Sequence, residues 1–584
     1  MVVSLLLCLL LFTLVTTGLA WPLVAELKLD AAEKLVTAVA GSLVGTFLIG
    51  WVIYTAALPP AVVGIVPVLA AIGLLAKRRS WIALSRDPEV SALCIGQTIL
   101  TAWCIGWLIT VRSYSGGGWS GDWFEHWERT RFFLERWPLD RQFLGSLLPA
   151  RPPLANVVTA VFLGLTRHDF AHYQFVTTVL GSLAFLPAAL FVRRFSPRDE
   201  PGSGRTGVRA ITVMAALLML NPAFVQNATF AWTKLPTVFF TLAGLYFFLH
   251  AVRSERPLAG AVLTAVMLAA GTLTHYSTGP YVVLLVAGWL AVSWQRRRER
   301  EWWRATLAAA AVGAAILATW FGWAIQHYGA SGTLLANSSI TAADTTAGGQ
   351  VARIALNVRD TIVPHFLRPM DRSLIAQASR VGATRDWLFQ LYQTNLLFAF
   401  GSVGWLVILV AGGRQCRDAS ARVRLGWCGF IGGGVLLGIG VHGARDTWGL
   451  THICLQPLIV LGLGFLASRW SGLSRPWRFT LAAGAALDLV LGIALHFGVQ
   501  AFVLEPAPGP QEFRAWAAER TMAMVTNLGG KLHYQLTFIS DALPVPRLVI
   551  GAILLALLLV ALARTRRREP AVSDVVAATP AAKR

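Results

Sequence analysis

The residues best suited to chemistry lie in one polar stretch, residues 113–151, which interrupts an otherwise apolar chain. Within it, Glu125 follows Asp122 by three positions, and His126 comes next. A carboxylate that faces a cavity at the membrane surface can act as a general base or as a metal ligand, and a histidine beside it could join the site. Two plain alternatives stay open. Asp-x-x-Glu is also the pattern of a capping box at a helix start, and His126 could simply be solvated.

A helix would have to position these groups. Apolar or small residues recur at intervals of four, three, four and three, namely at Trp123, Trp127, Thr130, Leu134 and Trp137. This spacing predicts a helix with one mostly apolar stripe. The charged residues fall off the stripe, at Glu125, Glu128, Arg129, Glu135 and Arg136. Because tryptophan favours the membrane interface, we expect an amphipathic helix lying on the membrane surface.

The composition predicts the scaffold around this helix. Of 584 residues, 55% are hydrophobic and 14% are charged, and the mean hydropathy is +0.60. A soluble domain carries about 25% charged residues, and runs of about 20 apolar residues are long enough to cross a bilayer as helices. The sequence therefore predicts an all-α polytopic membrane protein with about 15 transmembrane helices.

The basic residues suggest an orientation. The net charge is +21, but Lys and Arg sit in short clusters beside the apolar runs, as the positive-inside rule predicts for cytoplasmic loops. Nucleic acid is therefore not an expected partner. Alternating the spans puts every strong basic cluster on one side and stretch 113–151 on the exterior, while the orientation of the first helix, within 2–20, stays open. The six cysteines show no CxxC spacing and are typical of small buried residues.

The chain divides into four expected regions. They are N-terminal extra helices (1–89), a core with exterior loops 112–153 and 326–393 (90–470), C-terminal helices with exterior loop 502–546 (471–563), and a basic disordered tail (564–584). Residues 154–165 form an apolar segment too short for a full span, so we expect a re-entrant or interfacial helix there.

Further polar residues collect at the exterior ends of spans. His275 and Tyr276 could bind sugar hydroxyls in a cavity wall, or simply form a capped helix end. A short turn carries His442, Arg445, Asp446 and His452; Arg445 could bind a phosphate with His452 beside it, or pair with Asp446 on the surface. Lys234 and Arg151 could contact a phosphate or anchor at the interface.

These features resemble the C-type glycosyltransferase (GT-C) superfamily, including the protein O-mannosyltransferases and the lipid A aminoarabinose transferases. The resemblance rests on an acidic residue in the first exterior loop, the amphipathic helix, and Arg151-Pro152-Pro153-Leu154 opening a short apolar helix. It extends to Asn221-Pro222-Ala223-Phe224 and to residues 228–234, ATFAWTK, and covers about residues 91–294.

The resemblance implies a reaction. Such enzymes transfer a sugar from a polyprenyl-phosphate donor to a lipid, glycan or protein acceptor on the exterior face, here the periplasmic face of a bacterial inner membrane. By motif, Asp122 is the catalytic base of an inverting displacement and Glu125 a weaker companion. Many members carry a second acidic residue in the second exterior loop, but residues 221–234 contain none. This leaves a divalent metal open and makes Lys234 a candidate phosphate contact.

Two other functions stay possible. An O-antigen ligase or polymerase would also use polyprenyl-linked glycans, but would shift the chemistry from Asp122 to Arg445 and His452. A transporter or flippase for lipid-linked sugars would perform no covalent step. It would carry paired polar residues on broken helices near the middle of the membrane, whereas the polar groups here collect at the exterior ends.

Overall fold

The protein is described by a computed structural model that is helical throughout its described part. The described residues are 1–111, 114, 122–143, 146–196, 203–296, 298–337, 347–367, 388, 391–441, 454–495 and 536–543. They contain no β-strand, only an isolated bridge between Phe143 and Ser146. All of them belong to one compact unit, residues 1–543. The expected all-α membrane architecture is confirmed.

Six helices precede the polar stretch. In chain order they are α1 (Val2–Gly18), α2 (Trp21–Val24), α3 (Ala31–Thr55), α4 (Ile65–Ala76), α5 (Arg78–Ser85) and α6 (Pro88–Thr110). Acidic caps fix two of the starts, because Asp30 forms a capping box with Glu33 at α3 and Asp87 accepts two backbone N–H groups at α6. α1 packs against α4 where Gly18 meets Gly73, which lets the two backbones approach closely.

Ten helices follow up to residue 334. They are α7 (Asp122–Glu135), α8 (Leu154–Leu165), α9 (Phe170–Ser182), α10 (Phe185–Phe195), α11 (Ser203–Leu220), α12 (Pro222–Thr229), α13 (Lys234–Ala251), α14 (Leu258–Thr274), α15 (Gly279–Gln295) and α16 (Arg300–Leu334). Asn221 caps α12 with Pro222 in its first turn. The chain bends there by 73°. This bend brings the segment that leads to Lys234 back toward the bundle.

The remaining described helices are shorter on average. They are α17 (Ala347–Ile362), α18 (Leu396–Ala399), α19 (Gly404–Asp418), α20 (Ala421–Val441), α21 (Gln456–Arg469), α22 (Arg475–Ile493) and α23 (Ile539–Ala542). α23 lies against α9, where the backbone N–H of Ile539 donates to Gln174 Oε1 at 3.0 Å. A piece of the second long polar segment, which the sequence left without a role, therefore packs into the core.

The described chain has nine helical segments long and apolar enough to cross a membrane, or eleven if two bent pairs are counted. The nine are Val2–Val24, Ala31–Thr55, Pro88–Thr110, Phe170–Phe195, Lys234–Ala251, Tyr276–Gln295, Arg300–Leu334, Ala421–Gly440 and Arg475–Ile493. The chain is therefore an integral membrane protein. The expected number of about 15 spans is not confirmed, and the last expected span, residues 548–563, lies outside the described residues.

Several predicted segments differ in detail. Residues 154–165 do form a short apolar helix, α8, with those bounds. The apolar run at residues 175–192 predicts a single span, but two helices cover it, α9 and α10, which together run from Phe170 to Phe195. The apolar run at residues 305–325 predicts another span, and this one continues to Leu334 as part of α16, which kinks at Gly329, where φ is 73°. Residues 326–334 are thus helical, although their polarity suggested a loop.

The structure also orients α1 relative to the other helices. Ser4, in its first turn, contacts His172 Nε2 at 3.1 Å, and His172 lies in the first turn of α9. The same turn of α9 packs against α7 through Phe170 and Trp123. The Val2 end of α1 therefore lies at the end of the bundle that carries α7. At the opposite end, Arg193 of α10 joins Asp30, beside α3, to Glu89 of α6.

Candidate functional site

α7 carries the predicted tryptophan stripe, and the stripe is buried in protein. Trp123 packs on Phe170 with ring centroids 5.2 Å apart, and Trp127 packs on Tyr173 at 5.1 Å. The opposite, charged side of α7 is also buried, including Glu125 and Arg129. The tryptophans therefore anchor the start of α7 in protein rather than in the membrane interface. The polar side is covered by residues 141–143 and 146–151 and by α8, which supply matching charges and hydrogen bonds.

Glu125 and Arg129 form the centre of that buried side. Arg129 Nη2 lies 2.7 Å from Glu125 Oε1, one helical turn away, and Arg129 Nη1 donates to the Leu148 carbonyl at 2.5 Å. Ser146 Oγ lies 3.2 Å from the same Glu125 oxygen. Burial raises the pKa of Glu125, but the charges of Arg151 and Arg129 outweigh burial and lower that pKa to about 2. Glu125 is therefore a carboxylate at any physiological pH.

The capping box expected at this helix start is not formed by Glu125. α7 begins at Asp122, so Asp122 is itself a helical residue. The Glu125 carboxylate instead accepts hydrogen bonds from Arg129, Ser146 and Arg151. Glu125 thus joins α7 to the segment before α8, and this contact holds Arg151 in place.

Asp122 lies between two cationic side chains. Its Oδ1 is 3.5 Å from Arg151 Nη2, and its Oδ2 is 3.9 Å from Lys234 Nζ. Both separations are longer than a charge-assisted hydrogen bond, which measures about 2.7–2.9 Å. Burial lowers the pKa of Arg151, but the charges of Glu125 and Asp122 outweigh burial and raise it, so Arg151 stays cationic. The carboxylate and the two basic groups therefore form one cluster, called the pocket below, in which Asp122 makes no short direct bond to either basic group.

A strained turn aims Lys234 at this pocket. Lys234 is the first residue of α13, and Ala231, three positions earlier, has a φ of +55°. A left-handed conformation is costly for a residue with a side chain. Here it is held by Tyr173, whose Oη donates to the Ala231 carbonyl at 3.0 Å. Lys234 is only 3% exposed, so it does not reach toward the surface from the helix end.

His275 and Tyr276 lie in the break between α14 and α15, beside the same pocket. His275 Nε2 is 3.2 Å from Lys234 Nζ, and its Nδ1 contacts the backbone N–H and the hydroxyl of Ser277. Tyr276 Oη donates to the Pro149 carbonyl at 2.8 Å, just before Arg151. The helix break therefore supplies one residue that contacts Lys234 and one that holds the Arg151 segment.

His126 is enclosed rather than solvated. It is 2% exposed, and its Nδ1 is 3.3 Å from Asn156 Oδ1 of α8. Burial lowers the pKa of His126 to about 3, so the ring is neutral at physiological pH. Sequence reasoning missed Asn156, although an asparagine in an otherwise apolar helix was a usable signal. It also missed Arg129, which the i, i+4 spacing from Glu125 could have suggested.

Six of the predicted substrate or catalytic residues therefore lie together in the pocket. Tyr276 contacts the adjoining Arg151 segment through the Pro149 carbonyl. The six are Asp122, Glu125, His126, Arg151, Lys234 and His275. The other two predicted residues, Arg445 and His452, lie outside the described residues.

The pocket does not suit a divalent metal. Within the described ranges, no three His, Cys, Asp or Glu side chains are grouped so that they could hold a metal ion. The two carboxylates, Asp122 and Glu125, already face the guanidinium groups of Arg129 and Arg151. Cations beside both carboxylates would repel a metal, so no step of the chemistry is routed through one.

A second hydrogen-bonded chain has the residue types of a nucleophilic triad. His172 Nδ1 is 2.7 Å from Asp169 Oδ1, and its Nε2 contacts Ser4 Oγ. However, Ser4 Oγ donates its proton to the Met1 carbonyl at 2.7 Å, and Asp169 caps α9 by accepting the His172 backbone N–H. These contacts account for all three residues as a link between α1 and α9.

Comparison with known proteins returns distant structural likenesses. No protein-family model matches the chain, and no curated protein matches it. ArnT from Cupriavidus metallidurans bound to undecaprenyl phosphate is similar with a TM-score of 0.44 and 16% identity, over 82% of this chain and 74% of ArnT. Its apo state gives 0.42 and 15%, over 83% and 75%. The archaeal oligosaccharyltransferase AglB from Archaeoglobus fulgidus, in complex with an inhibitory peptide and a dolichol-phosphate, gives 0.42 and 16%, over 79% and 60%.

ArnT and AglB are membrane glycosyltransferases of the GT-C group, which is the group that the sequence motifs resemble. A likeness at this level of identity concerns the fold and not the activity.

Proposed function

We propose that this protein transfers a sugar from a polyprenyl-phosphate donor to a hydroxyl of a lipid, glycan or protein acceptor, on the face of the membrane to which α7 belongs. The observation that carries the proposal is the position of Asp122, a buried carboxylate 3.5 Å from Arg151 and 3.9 Å from Lys234. Glycosyl transfer from a phosphate needs a base and an anion site side by side, and this pocket holds both.

Arg151 and Lys234 are suited to the donor phosphate. Neither makes a short bond to Asp122, so both can turn toward a phosphate that enters between them. Arginine keeps its charge and binds phosphate oxygens through two parallel N–H groups. The nearby pair of Glu125 and Arg129 is already satisfied. This pair holds the Arg151 segment in place, so the phosphate is bound by Arg151 and Lys234 rather than by Arg129.

Asp122 is suited to deprotonate the acceptor. A carboxylate next to the phosphate lies close to the anomeric carbon, where the acceptor hydroxyl must approach. The hydroxyl attacks that carbon from the side opposite the phosphate, and the bond to the phosphate breaks. A single displacement of this kind inverts the anomeric configuration. The neutral His126 and the His275–Tyr276 turn lie beside the pocket and can offer hydrogen bonds to the sugar.

The proposal is tested by replacing the base without changing its size. Purified protein in lipid nanodiscs is supplied with a panel of polyprenyl-phosphate sugars, and release of polyprenyl phosphate is measured. Asp122→Asn should lower the rate by about 10²- to 10⁴-fold, which is the usual contribution of a general base. The matched control, Asp140→Asn, makes the same change at an exposed position near the end of α7 and should leave the rate unchanged.

Two results would contradict the proposal. One is full activity of Asp122→Asn alongside the control. The other is movement of a lipid-linked sugar across vesicles without release of polyprenyl phosphate, which would indicate a transporter.

A further inference from the structure

The contact between Lys234 and His275 constrains where protons can sit. Lys234 Nζ and His275 Nε2 are 3.2 Å apart, and both side chains are almost completely buried. An ammonium group has three donors and no acceptor, whereas a neutral imidazole has one donor nitrogen and one acceptor nitrogen. A hydrogen bond between these two groups therefore requires either a protonated lysine facing an unprotonated Nε2, or a neutral lysine facing Nε2–H.

The other side of the imidazole favours the second arrangement. The backbone N–H of Ser277 donates to His275 Nδ1 at 3.1 Å, which makes Nδ1 an acceptor. In a neutral ring the proton then resides on Nε2 and points at Lys234. The opposite tautomer would place Nδ1–H against the backbone N–H of Ser277 and would leave that buried N–H unpaired, at a cost. His275 thus donates to Lys234, and Lys234 accepts through the lone pair of a neutral amine.

The distance from Lys234 to Asp122 agrees with this assignment. A lysine ammonium beside a carboxylate normally closes to a charge-assisted bond of about 2.7–2.9 Å. Here Nζ and Asp122 Oδ2 are 3.9 Å apart, although both lie in the same pocket. Lys234 instead approaches His275 and packs near the Trp232 ring, at 5.2 Å from its centroid.

We propose that Lys234 and His275 form the proton-accepting pair of the site: Lys234 enters the reaction as a neutral amine held by His275, and ends it as an ammonium. This inference rests on the glycosyl transfer proposed above and adds the destination of the proton. The acceptor hydroxyl gives its proton to Asp122, which passes it to Lys234. The new ammonium then turns from His275 toward the phosphate, whose second negative charge it balances, and His275 keeps its proton on Nε2 because the Ser277 N–H still donates to Nδ1.

The step balances in atoms and charge. The acceptor oxygen forms a bond to the anomeric carbon, and the bond from that carbon to the phosphate oxygen breaks with its electron pair going to the phosphate. The phosphate changes from a diester with one negative charge to a monoester with two. Lys234 gains one positive charge at the same time. The buried pocket therefore keeps its net charge, which avoids the cost of an uncompensated charge in a low-dielectric site.

The other ionisable groups near Lys234 do not hold the proton at the end of the reaction. Within the described ranges they are Asp122, Glu125 and His126 on α7, Arg151 before α8, and Cys454 just before α21. Glu125 is held as a carboxylate by Arg129 and Arg151, and Arg151 is a permanent cation. His126 is kept neutral by burial. Asp122 relays the proton to Lys234.

The protonation state of Lys234 can be observed directly. The chain has six lysines, so protein labelled with ¹⁵N-lysine in nanodiscs gives few side-chain signals, and Lys234→Arg identifies the one of interest. Near pH 7.5 the empty protein should show Lys234 as a neutral amine. Saturation with undecaprenyl phosphate, the monoester product of the proposed reaction, should convert it to an ammonium. Lys77→Arg, at an exposed lysine paired with Glu26, should leave the Lys234 signal unchanged.

The outcomes separate this inference from the proposed function. Binding of undecaprenyl phosphate to a protein whose Lys234 is already an ammonium when empty would overturn the proton-accepting pair and leave glycosyl transfer standing. Failure of undecaprenyl phosphate to bind at saturating amounts would instead count against glycosyl transfer.

Two variants test the roles within the pair. Lys234→Arg can still donate hydrogen bonds to the phosphate but cannot accept a proton, so it should lower kcat by about 100-fold or more with little change in KM. His275→Asn can still accept the Ser277 N–H but cannot donate from the Nε2 position. In that variant Lys234 should already be an ammonium when the pocket is empty. A neutral Lys234 in His275→Asn would exclude His275 as its positioning residue.

Discussion

At the scale of single residues, burial and the neighbouring charges together decide the state of the ionisable groups in the pocket. Glu125 and His126 are neighbours in sequence and both are almost fully enclosed, yet they respond in different ways. Glu125 has two arginines beside it and keeps its charge, whereas His126 has a neutral partner, Asn156, and loses it. The identity of the partner, rather than the depth of burial, separates a permanent charge from a neutral hydrogen-bonding group.

His126 should make the stability of the protein depend on pH in a defined range. Burial lowers its pKa from the usual 6.5 to about 3, so below pH 6.5 the unfolded chain binds a proton that the folded chain does not. The stabilisation is complete above pH 6.5 and is lost progressively as the pH falls toward 3. We expect the Tm to fall between pH 6.5 and 5, and to fall less in His126→Asn.

The control for this experiment is His327→Asn, because His327 is an exposed histidine on α16. It should keep the pH dependence of the natural protein. An equal fall in Tm for the natural protein and for His126→Asn would show that His126 does not titrate in this way.

At the scale of helices, one close crossing shows how the N-terminal part is joined. A Cβ on Gly73 of α4 would lie 2.5 Å from the Gly18 carbonyl oxygen of α1, and a Cβ on Gly18 would lie 2.4 Å from the Ala70 carbonyl oxygen. These neighbours are backbone atoms, which cannot turn aside as a side chain can. The crossing therefore depends on glycine at both positions.

Gly73→Ala should consequently destabilise the protein by forcing α1 and α4 apart. Overpacking of this kind costs about 1–3 kcal/mol, which should appear as a lower Tm. Gly64→Ala places the same methyl group in open space a short distance along the chain and should leave the Tm nearly unchanged. Equal Tm values for the two variants would show that the crossing does not depend on Gly73.

Helix boundaries show what local sequence could and could not predict. Residues 154–165 were predictable because Pro152 and Pro153 precede a short, wholly apolar run. The division of residues 170–195 into α9 and α10 was missed although Pro187 signals it, because a proline ring removes the backbone hydrogen bond to the carbonyl four residues earlier, here that of Leu183. The continuation of α16 past Ile325 was missed because polar residues were taken as the sign of a loop.

At the scale of the whole molecule, the sequence predicted the class of fold and most of the pocket. Asp122, Arg151 and Lys234 were each singled out, yet nothing in the sequence showed that these three residues, the outermost of which are 112 positions apart, would come together. The burial of α7 was also missed. An apolar stripe on one side of a helix looks the same whether the other side meets water or matching charges, and here Arg129 and Arg151 supplied the charges.

The arrangement of helices predicts which positions share a side of the membrane. The start of α1 lies at the same end of the bundle as α7, whereas α3 and α6 begin at the opposite end. In a protein without its natural cysteines, Val3→Cys and Asp140→Cys should react with a membrane-impermeant maleimide from the same side. Arg86→Cys, just before α6, should react only from the other side. Val3→Cys and Arg86→Cys reacting together would reverse the orientation of α1.

The enclosure of α7 has a practical consequence for handling the protein. A helix that rests on the lipid surface loses its support when detergent replaces the bilayer. α7 is held instead by Phe170 and Tyr173 on one side and by the pair of Glu125 and Arg129 with residues 146–151 on the other. Solubilisation leaves all of these contacts in place. Detergent extraction is therefore expected to preserve the pocket, and purified micellar protein is a sound starting point for measuring its chemistry.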